Sequence, residues 1–458
     1  MTNATTISKQ LATENIGKLI WQYSIPAIIG TVVMALYNIV DRIFIGQGVG
    51  PLAISGLALT FPFMILQMAF GMLIGAGSAS RISITLGENN NDKAEKILGN
   101  AFTLTFIISG TVIVISYIFM HDLLRLFGGT QKTIQYAENF MTIIIPGGIF
   151  SALNYGFNNI MRASGYPRKA MYTMIICAAL NAILAPVFIF GFHWGIQGAA
   201  IATNIAYLVG TVWVLAHFMD KKSNIRFHRK NFKLEKDIVK SIISIGMSPF
   251  SMQLATCFVI ILVNTTLIKH GGDLAIGAFG IINSLNTLII MIIIGLNQGT
   301  QPIVGYNFGA KSYSRMFKTL KYAAIIATGI TSFGFVIGTF FPTYVVSFFT
   351  RDAALQIIAA KALRISVFMF PIVGSQIVVT NFFQSIGKAK ISIFLSLTRQ
   401  FLFLIPALLV LPPMFGLSGA WAAMPFSDGL SSIVSAVTII YFIRKFKELN
   451  KSISGKKI

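Results

Sequence analysis

The residue that poses the clearest chemical question is Asp41, a carboxylic acid inside a long apolar segment. A carboxylate in the hydrocarbon of a bilayer costs roughly 2.5–3.5 kcal/mol on insertion scales, unless it faces water or a partner. Helical spacing places Asn38, Tyr37 and Met34 on the face of this acid. One polar stripe on an otherwise apolar helix predicts a helix that lines a cavity. The alternative is an ion pair with the adjacent Arg42 near the membrane surface.

Four other polar side chains also lie in apolar stretches. Gln298 and Gln301 flank Gly299, so they either line a cavity or belong to a close helix contact. Arg399 is expected to bind an acid or carbonyls in the interior of its lobe, or to hold the bundle together and reach the membrane surface. Asp428 is a second intramembrane acid and a candidate for a direct role in transport.

Methionine and aromatic side chains offer an adaptable apolar wall for varied ligands, and aromatic faces attract cations. We therefore predict a substrate cavity that combines such residues with the polar groups. Its predicted members are Met34, Tyr37, Asn38, Phe61, Met64, Met68, Asn154, Gln298, Gln301, Arg399 and Asp428.

The composition identifies the environment that must position these residues. Of the 458 residues, 55% are hydrophobic and only 11% are charged, whereas soluble proteins contain about 25% charged residues. The mean hydropathy of +0.75 indicates a polytopic membrane protein. The net charge of +22 does not indicate nucleic-acid binding, because the lysines and arginines cluster in alternate loops.

About 20 apolar residues span a bilayer, and the sequence contains twelve such segments. They are residues 16–46, 52–81, 95–118, 135–161, 168–192, 197–218, 238–268, 273–304, 318–345, 357–385, 390–413 and 416–443. The basic loops follow the even-numbered segments, so we expect both termini to be cytoplasmic.

The chain also repeats itself at an offset of about 222 residues. The matching positions are Gly87 with Gly309, Asn159 with Asn381, Gly165 with Gly387 and, one residue closer, Gly195 with Gly416. The repeat predicts an all-α membrane protein of twelve transmembrane helices, in two six-helix lobes related by a pseudo-two-fold axis along the membrane normal. The predicted parts are residues 1–219 (N-lobe), 220–236 (cytoplasmic linker) and 237–458 (C-lobe with a basic tail).

Several classes of function are disfavoured. Cys177 and Cys257 lie in apolar segments and do not indicate a disulfide framework or a metal site. The sequence has no HExxH motif and no P-loop. We therefore expect neither an enzyme nor a cofactor-binding protein.

Five segments carry a resemblance to a known family: Asn38–Gly46, Leu86-Gly87, Arg162–Pro167, Gly299–Pro302 and Gly305–Ala310. With them, the chain resembles the MATE family of multidrug exporters over about residues 16–445. It implies two six-helix bundles that form a V and a secondary antiporter that exports organic cations or amphipathic drugs in exchange for protons or sodium ions. An exporter of lipid-linked or oligosaccharide cargo is the alternative. The family further implies a bacterial cytoplasmic membrane, no cofactor besides the coupling ion, and a monomer.

The resemblance also implies a coupling-ion site. An acid, an asparagine and a threonine of the family site match Asp41, Asn181 and Thr203, whereas the position of the second family acid holds Ala185. A hard cation requires several oxygen ligands, so the missing acid favours protons, with these three residues as the metal ligands if sodium is the ion. We expect Asp41 to be the main coupling acid.

Overall fold

The computed structural model describes residues 10–49, 51–126 and 131–454, and within these ranges the chain forms helices and connecting turns without a strand. Helices are the expected solution in a bilayer, because they satisfy every backbone hydrogen bond within one segment. The predicted all-α fold class is confirmed.

The spans are numbered α1 to α12. The first six are α1 (Ile16–Gly48), α2 (Pro51–Gly87), α3 (Asn91–Ile118), α4 (Gln131–Ala163), α5 (Pro167–Pro186, continued by a π-helical turn Val187–Gly191) and α6 (Gly195–Met219). The continuous stretch Lys236–Gly309 holds α7 and α8, and α9 is Tyr313–Phe340. The bent pair Ala353–Ser366 and Phe370–Ser385 forms α10. The remaining stretch begins at Ala389, passes through a π-helical segment, Thr398–Leu404, and ends with Ile405–Ser454, giving α11 and α12.

Two glycines interrupt the longest helices. Gly272 (φ 63°, ψ −160°) separates α7 from α8, and Gly416 (φ 59°, ψ −140°) separates α11 from α12. By length and hydropathy, nine helices in the described ranges can cross a membrane, or ten with the pair bent by 55° counted as one span. Because two of the nine contain an interrupting glycine and hold two spans each, the described helices accommodate all twelve predicted segments.

The backbone preserves the predicted internal repeat. Positive φ angles occur in matching turns 221 or 222 positions apart: Asn89 with Lys311, Gly165 with Gly387, and Gly195 with Gly416. Left-handed residues are uncommon outside glycine, so their recurrence at one offset indicates the same turn built twice.

The chain divides into two compact units. The first unit runs to Cys257 and also contains Ile290–Thr319 and Gln384–Ala389. The second contains Phe258–Ile289, Leu320–Phe383 and the chain from Lys390 onwards. This division by packing does not test the predicted lobe boundaries, which stay predictions.

Each unit has its own apolar core. In the first unit, Phe63, Phe140 and Ile145 are among the buried residues contributed by α2 and α4. In the second, Val263, Phe370 and Trp421 belong to a core built from α7, α10 and α12.

The predicted linker 220–236 is fixed to α3 of the first unit by a buried asparagine. The Asn100 amide donates to the carbonyl oxygens of Asn231 (3.2 Å) and Lys233 (3.1 Å), and its oxygen accepts from the Glu235 backbone N–H (2.7 Å). Thr103 adds a hydrogen bond to the Phe232 carbonyl at 2.8 Å. The charged linker is therefore packed on the first unit along this stretch.

Candidate ion-coupling and substrate site

The predicted polar face of α1 is present, but its members differ in what they bind. Met34, Tyr37 and Asp41 are partly buried, whereas Asn38 is exposed. The Asn38 amide donates to the Met34 carbonyl of its own helix at 2.7 Å. Asn38 thus forms a hydrogen bond within its own helix, whereas Tyr37 and Asp41 interact with residues of neighbouring helices.

Asn181 on α5 and Thr203 on α6 are in direct contact. The Asn181 Nδ2 donates to Thr203 Oγ1 at 2.9 Å, and Thr203 Oγ1 donates to the Ala199 carbonyl one turn earlier at 3.0 Å. Both side chains are buried. The Asn181 Oδ1 is buried and accepts no hydrogen bond from the described residues, so the site retains one free amide acceptor.

Tyrosines connect this pair to the acid of α1. The Tyr37 side chain lies close to Thr203 and Tyr207, and Asp41 interacts electrostatically with both tyrosines. Tyr37 therefore relates the acid of α1 to the Asn181–Thr203 pair, and the role of these three residues in coupling stays a prediction. We call Asp41, Asn181, Thr203, Tyr37 and Tyr207 the acid cluster.

Tyr207 was not predicted from the sequence. It lies four residues after Thr203, on the same face of α6, and that spacing was the only signal that could have identified it. An aromatic residue in an apolar helix usually packs or faces lipid, so the spacing alone was weak.

Ala185, at the position where the family site has a second acid, packs in the apolar core. Ala185 is fully buried one turn after Asn181, in the apolar core beside Ile189 and Ala199. The acid cluster therefore has one carboxylate. The described residues also contain no group of three or more His, Cys, Asp or Glu side chains that could hold a metal ion.

The predicted apolar wall lies on α1 and α2. Phe61 and Met64 are partly buried, and Met68 is exposed. Two of the sulfur atoms accept weak hydrogen bonds, Met64 from Thr60 (3.8 Å) and Met68 from Gln253 (3.9 Å). These residues remain predictions as substrate contacts.

Asn154, another predicted cavity residue, bridges helices of the first unit. Its Nδ2 donates to the Cys177 sulfur at 3.4 Å, and the Cys177 thiol donates to the Ala206 carbonyl at 3.3 Å. Its Oδ1 is buried and without a partner among the described residues. It is therefore a second amide with acceptor capacity to spare.

Gln298 and Gln301 on α8 make contacts with helices of the first half of the chain. Gln301 donates to Ser80 Oγ at 2.6 Å, and Gln298 accepts from the Arg162 guanidinium. These bonds match the close-packing alternative, and a role in substrate binding stays a prediction.

In the second unit, Arg399 and Asp428 form a buried ion pair. The Arg399 Nε donates to Asp428 Oδ1 at 2.6 Å, and the Asp428 side chain is only 3% exposed. Ser427 donates to the Arg399 carbonyl at 2.6 Å within the π-helical segment of α11. Arg399 thus has the acid partner that its position predicted, and the pair is neutral as a unit.

The fold and this site define a polytopic helical membrane protein with an internal repeat and one acid cluster in its first half. The MatE family model matches residues 26–187 and 249–409. The chain belongs to the MATE family of multidrug export transporters, and the resemblance found in the sequence is confirmed.

Relatives match almost the whole chain. The multidrug export protein MepA of Staphylococcus aureus (strain N315) is 27% identical over 428 residues, which are 93% of this chain and 94% of that protein. The solved structure of the MATE multidrug transporter DinF-BH is 38% identical, covers 94% of this chain and 96% of its own, and has a TM-score of 0.88. An outward-facing MATE transporter of the MOP superfamily, 24% identical, shares the fold with a TM-score of 0.90, covering 96% of this chain and 98% of that one.

Proposed function

We propose that this protein is a secondary antiporter that exports cationic or amphipathic drug-like compounds in exchange for protons, by alternating access. The observation that carries the proposal is the position of Asp41 near Tyr37, which lies close to the hydrogen-bonded pair Asn181 and Thr203. A carboxyl group in such a place can exchange a proton for a cation, because both carry one positive charge.

The donors and acceptors of the acid cluster favour protons over sodium. A hydroxyl has one hydrogen and two lone pairs. Thr203 gives its hydrogen to Ala199 and accepts from Asn181, so one of its lone pairs remains, on the side of Tyr37. The Asn181 amide oxygen has no partner among the described residues, and Asp41 supplies the one carboxylate of the cluster, whereas a hard cation takes six or more oxygen ligands in protein sites such as those for calcium.

The class of substrate follows from the same surfaces. Methionine and aromatic side chains on α1 and α2 accommodate varied apolar shapes. The acid favours positively charged ligands, and the names of the relatives, multidrug export protein and multidrug transporter, agree with a broad range. We place the protein as a monomer in the bacterial cytoplasmic membrane. Both termini are cytoplasmic in this proposal, because the basic loops alternate.

Transport into everted vesicles tests the proposal. We expect a fluorescent organic cation to accumulate under an imposed proton gradient, but not under a sodium gradient or without a gradient. Asp41→Asn, which is nearly isosteric, should reduce accumulation to background while the protein remains folded. Asp273→Asn, at an exposed acid near the α7–α8 break, should transport like wild type. Wild-type accumulation by Asp41→Asn would refute the coupling role.

A further inference from the structure

Arg162, near the end of α4, is a buried cation held by amides. Its side chain is buried, and its guanidinium donates to Asn158 Oδ1 at 2.7 Å, to Asn159 Oδ1 at 3.0 Å and to the Gln298 side-chain oxygen on α8. None of the salt bridges found in residues 10–49, 51–126 and 131–454 includes Arg162. Its Nε is buried and has no hydrogen-bond partner there.

The bond to Gln298 is one of several contacts between α8 and helices of the first half of the chain. These contacts form a seam that lies within the first unit. Thr31 donates to the Met291 carbonyl at 2.9 Å, and Gln301 reaches Ser80 at 2.6 Å. From Met291 to Gly309 the seam follows α8 for about 27 Å at 1.5 Å per residue. The α8 contacts from Met291 to Gly309 are called the seam below.

The far end of the seam is closed by backbone contact. A Cβ atom at Gly87 would overlap the Tyr306 carbonyl oxygen, and a Cβ at Gly309 would overlap the Ile84 carbonyl oxygen. The two contacts are related by the repeat, since 84 and 306, like 87 and 309, are 222 positions apart. At that end α2 and α8 are therefore in direct backbone contact.

The other arginine described above, Arg399, has a different partner. It forms an ion pair with Asp428, which lies on a helix of the same half and within the same unit. Arg162, by contrast, reaches across from the first half of the sequence to the second, and its hydrogen bonds to the described residues go to amide oxygens. A buried ion pair is hard to separate because each partner is left as an uncompensated charge. A hydrogen bond from a guanidinium to an amide is weaker and easier to break.

We propose that Arg162 and Gln298 form a releasable latch that positions α8 against the first half of the chain and opens once in every transport cycle. The inference rests on the proposed alternating access, which requires the two halves to part on this side. The seam ends at Gly309, two residues before Lys311 in the turn between α8 and α9, so in the proposed topology the latch closes the route to the cytoplasm. Neutral acceptors make the closed state stable but reversible.

Two variants with the same chemical change test the latch. Gln298→Glu places a carboxylate on α8 opposite Arg162, so it should strengthen the bond across the seam. Asn159→Asp places a carboxylate on the helix that carries Arg162, so it should hold the guanidinium on α4 and weaken the bond to Gln298. Asn159 is suitable because its own amide donates to the Tyr155 carbonyl of the same helix, at 3.2 Å.

The measurement is hydrogen–deuterium exchange of the full-length protein in lipid nanodiscs, without substrate or ion gradient. Buried helical amides exchange when the structure opens. We expect the amides of residues 291–309 to exchange several-fold more slowly in Gln298→Glu and several-fold faster in Asn159→Asp than in wild type. The matched control is Gln376→Glu, a buried amide of the second unit bonded to Ser431 at 2.8 Å, which should leave residues 291–309 unchanged.

A shift of both variants in the same direction, or no shift in either, would overturn the proposal. If Gln298→Glu cannot be purified, Gln298→Met removes the acceptor at similar length and should speed exchange of the seam; unchanged exchange would also overturn the latch. Because the test uses neither a substrate nor a gradient, an error in the proposed ion or cargo does not affect its result.

Discussion

Asn181 Nδ2 lies 2.9 Å from Thr203 Oγ1, and this bond joins α5 to α6 beside the acid of α1. It orients the amide so that its oxygen remains buried and free to accept. The acid cluster is thus organised by a neutral pair, and Asp41 contributes its carboxylate.

Removal of the Thr203 hydroxyl tests this organisation. Thr203→Val keeps the shape but leaves the Asn181 Nδ2 without its acceptor. Each buried group left unpaired costs about 1–3 kcal/mol. We expect a lower melting temperature in detergent and a large loss of gradient-driven transport.

The matched control for that variant is Thr105→Val on α3. The Thr105 hydroxyl donates to the Ala101 carbonyl of its own helix, at 2.7 Å. Its stability and transport should stay near those of wild type. Equal losses in the two variants would show that the Thr203 hydroxyl has no special place in the cluster.

Membrane topology can be tested by thiol labelling in a background with Cys177 and Cys257 replaced by alanine. An impermeant reagent applied to intact cells should label Phe192→Cys, whose position is exposed before α6, but not Lys221→Cys, which is exposed in the linker. Lys221→Cys should react after permeabilisation. Labelling of Lys221→Cys in intact cells would reverse the proposed orientation.

The structure also improves the choice of labelling sites. From the sequence alone, Asn224 in the polar linker is an obvious position for a label. In the structure, Asn224 is buried: its backbone N–H donates to the Tyr166 hydroxyl at 3.1 Å and its amide to the Ser164 carbonyl at 3.3 Å. Gly48 is unsuitable too, because a side chain there would overlap Ile189.

The spans and the repeat could be predicted because the bilayer decides them. A segment of about 20 apolar residues must be helical there, and matched turns need the same left-handed residues. Thus the Gly195 and Gly416 turns follow from the sequence. The partner of Gln298 did not follow, because Arg162 is 136 positions away and no local pattern specifies which side chains of distant helices meet.

The acid cluster could be predicted only in part. Asp41 was identified by the cost of a carboxylate in hydrocarbon, and Asn181 and Thr203 only through the family resemblance. That Asn38 bonds to its own helix could not be predicted, since the same spacing suits a cavity-facing amide. Tyr207 required the packing of α6 on α1 to be known.

The ion pair of the second unit gives a prediction for stability. Arg399→Met leaves Asp428 as a buried acid without its partner, which costs about 3–5 kcal/mol. The double variant Arg399→Met with Asp428→Leu removes both charges and should recover most of that loss. Thermal unfolding of wild type, the single variants and the double variant forms the cycle. A double variant less stable than either single variant would contradict the interpretation of the pair as an isolated unit.

The last prediction concerns the ion. Ala185 lies one turn after Asn181, where the family site has a second acid, and it is fully buried. Ala185→Asp would add a carboxylate close to Asp41 and the free Asn181 oxygen. Two carboxylates at close range repel unless a cation lies between them, so the variant should bind sodium more strongly than wild type. We expect sodium-driven transport to appear in vesicles that carry Ala185→Asp.

Adding Asp41→Asn to that variant should abolish sodium-driven transport, because one carboxylate and two neutral oxygens bind the ion weakly. Sodium-driven transport that survives the second substitution would place the ion away from Asp41, and its absence from the folded single variant would show that the missing acid is not what excludes sodium.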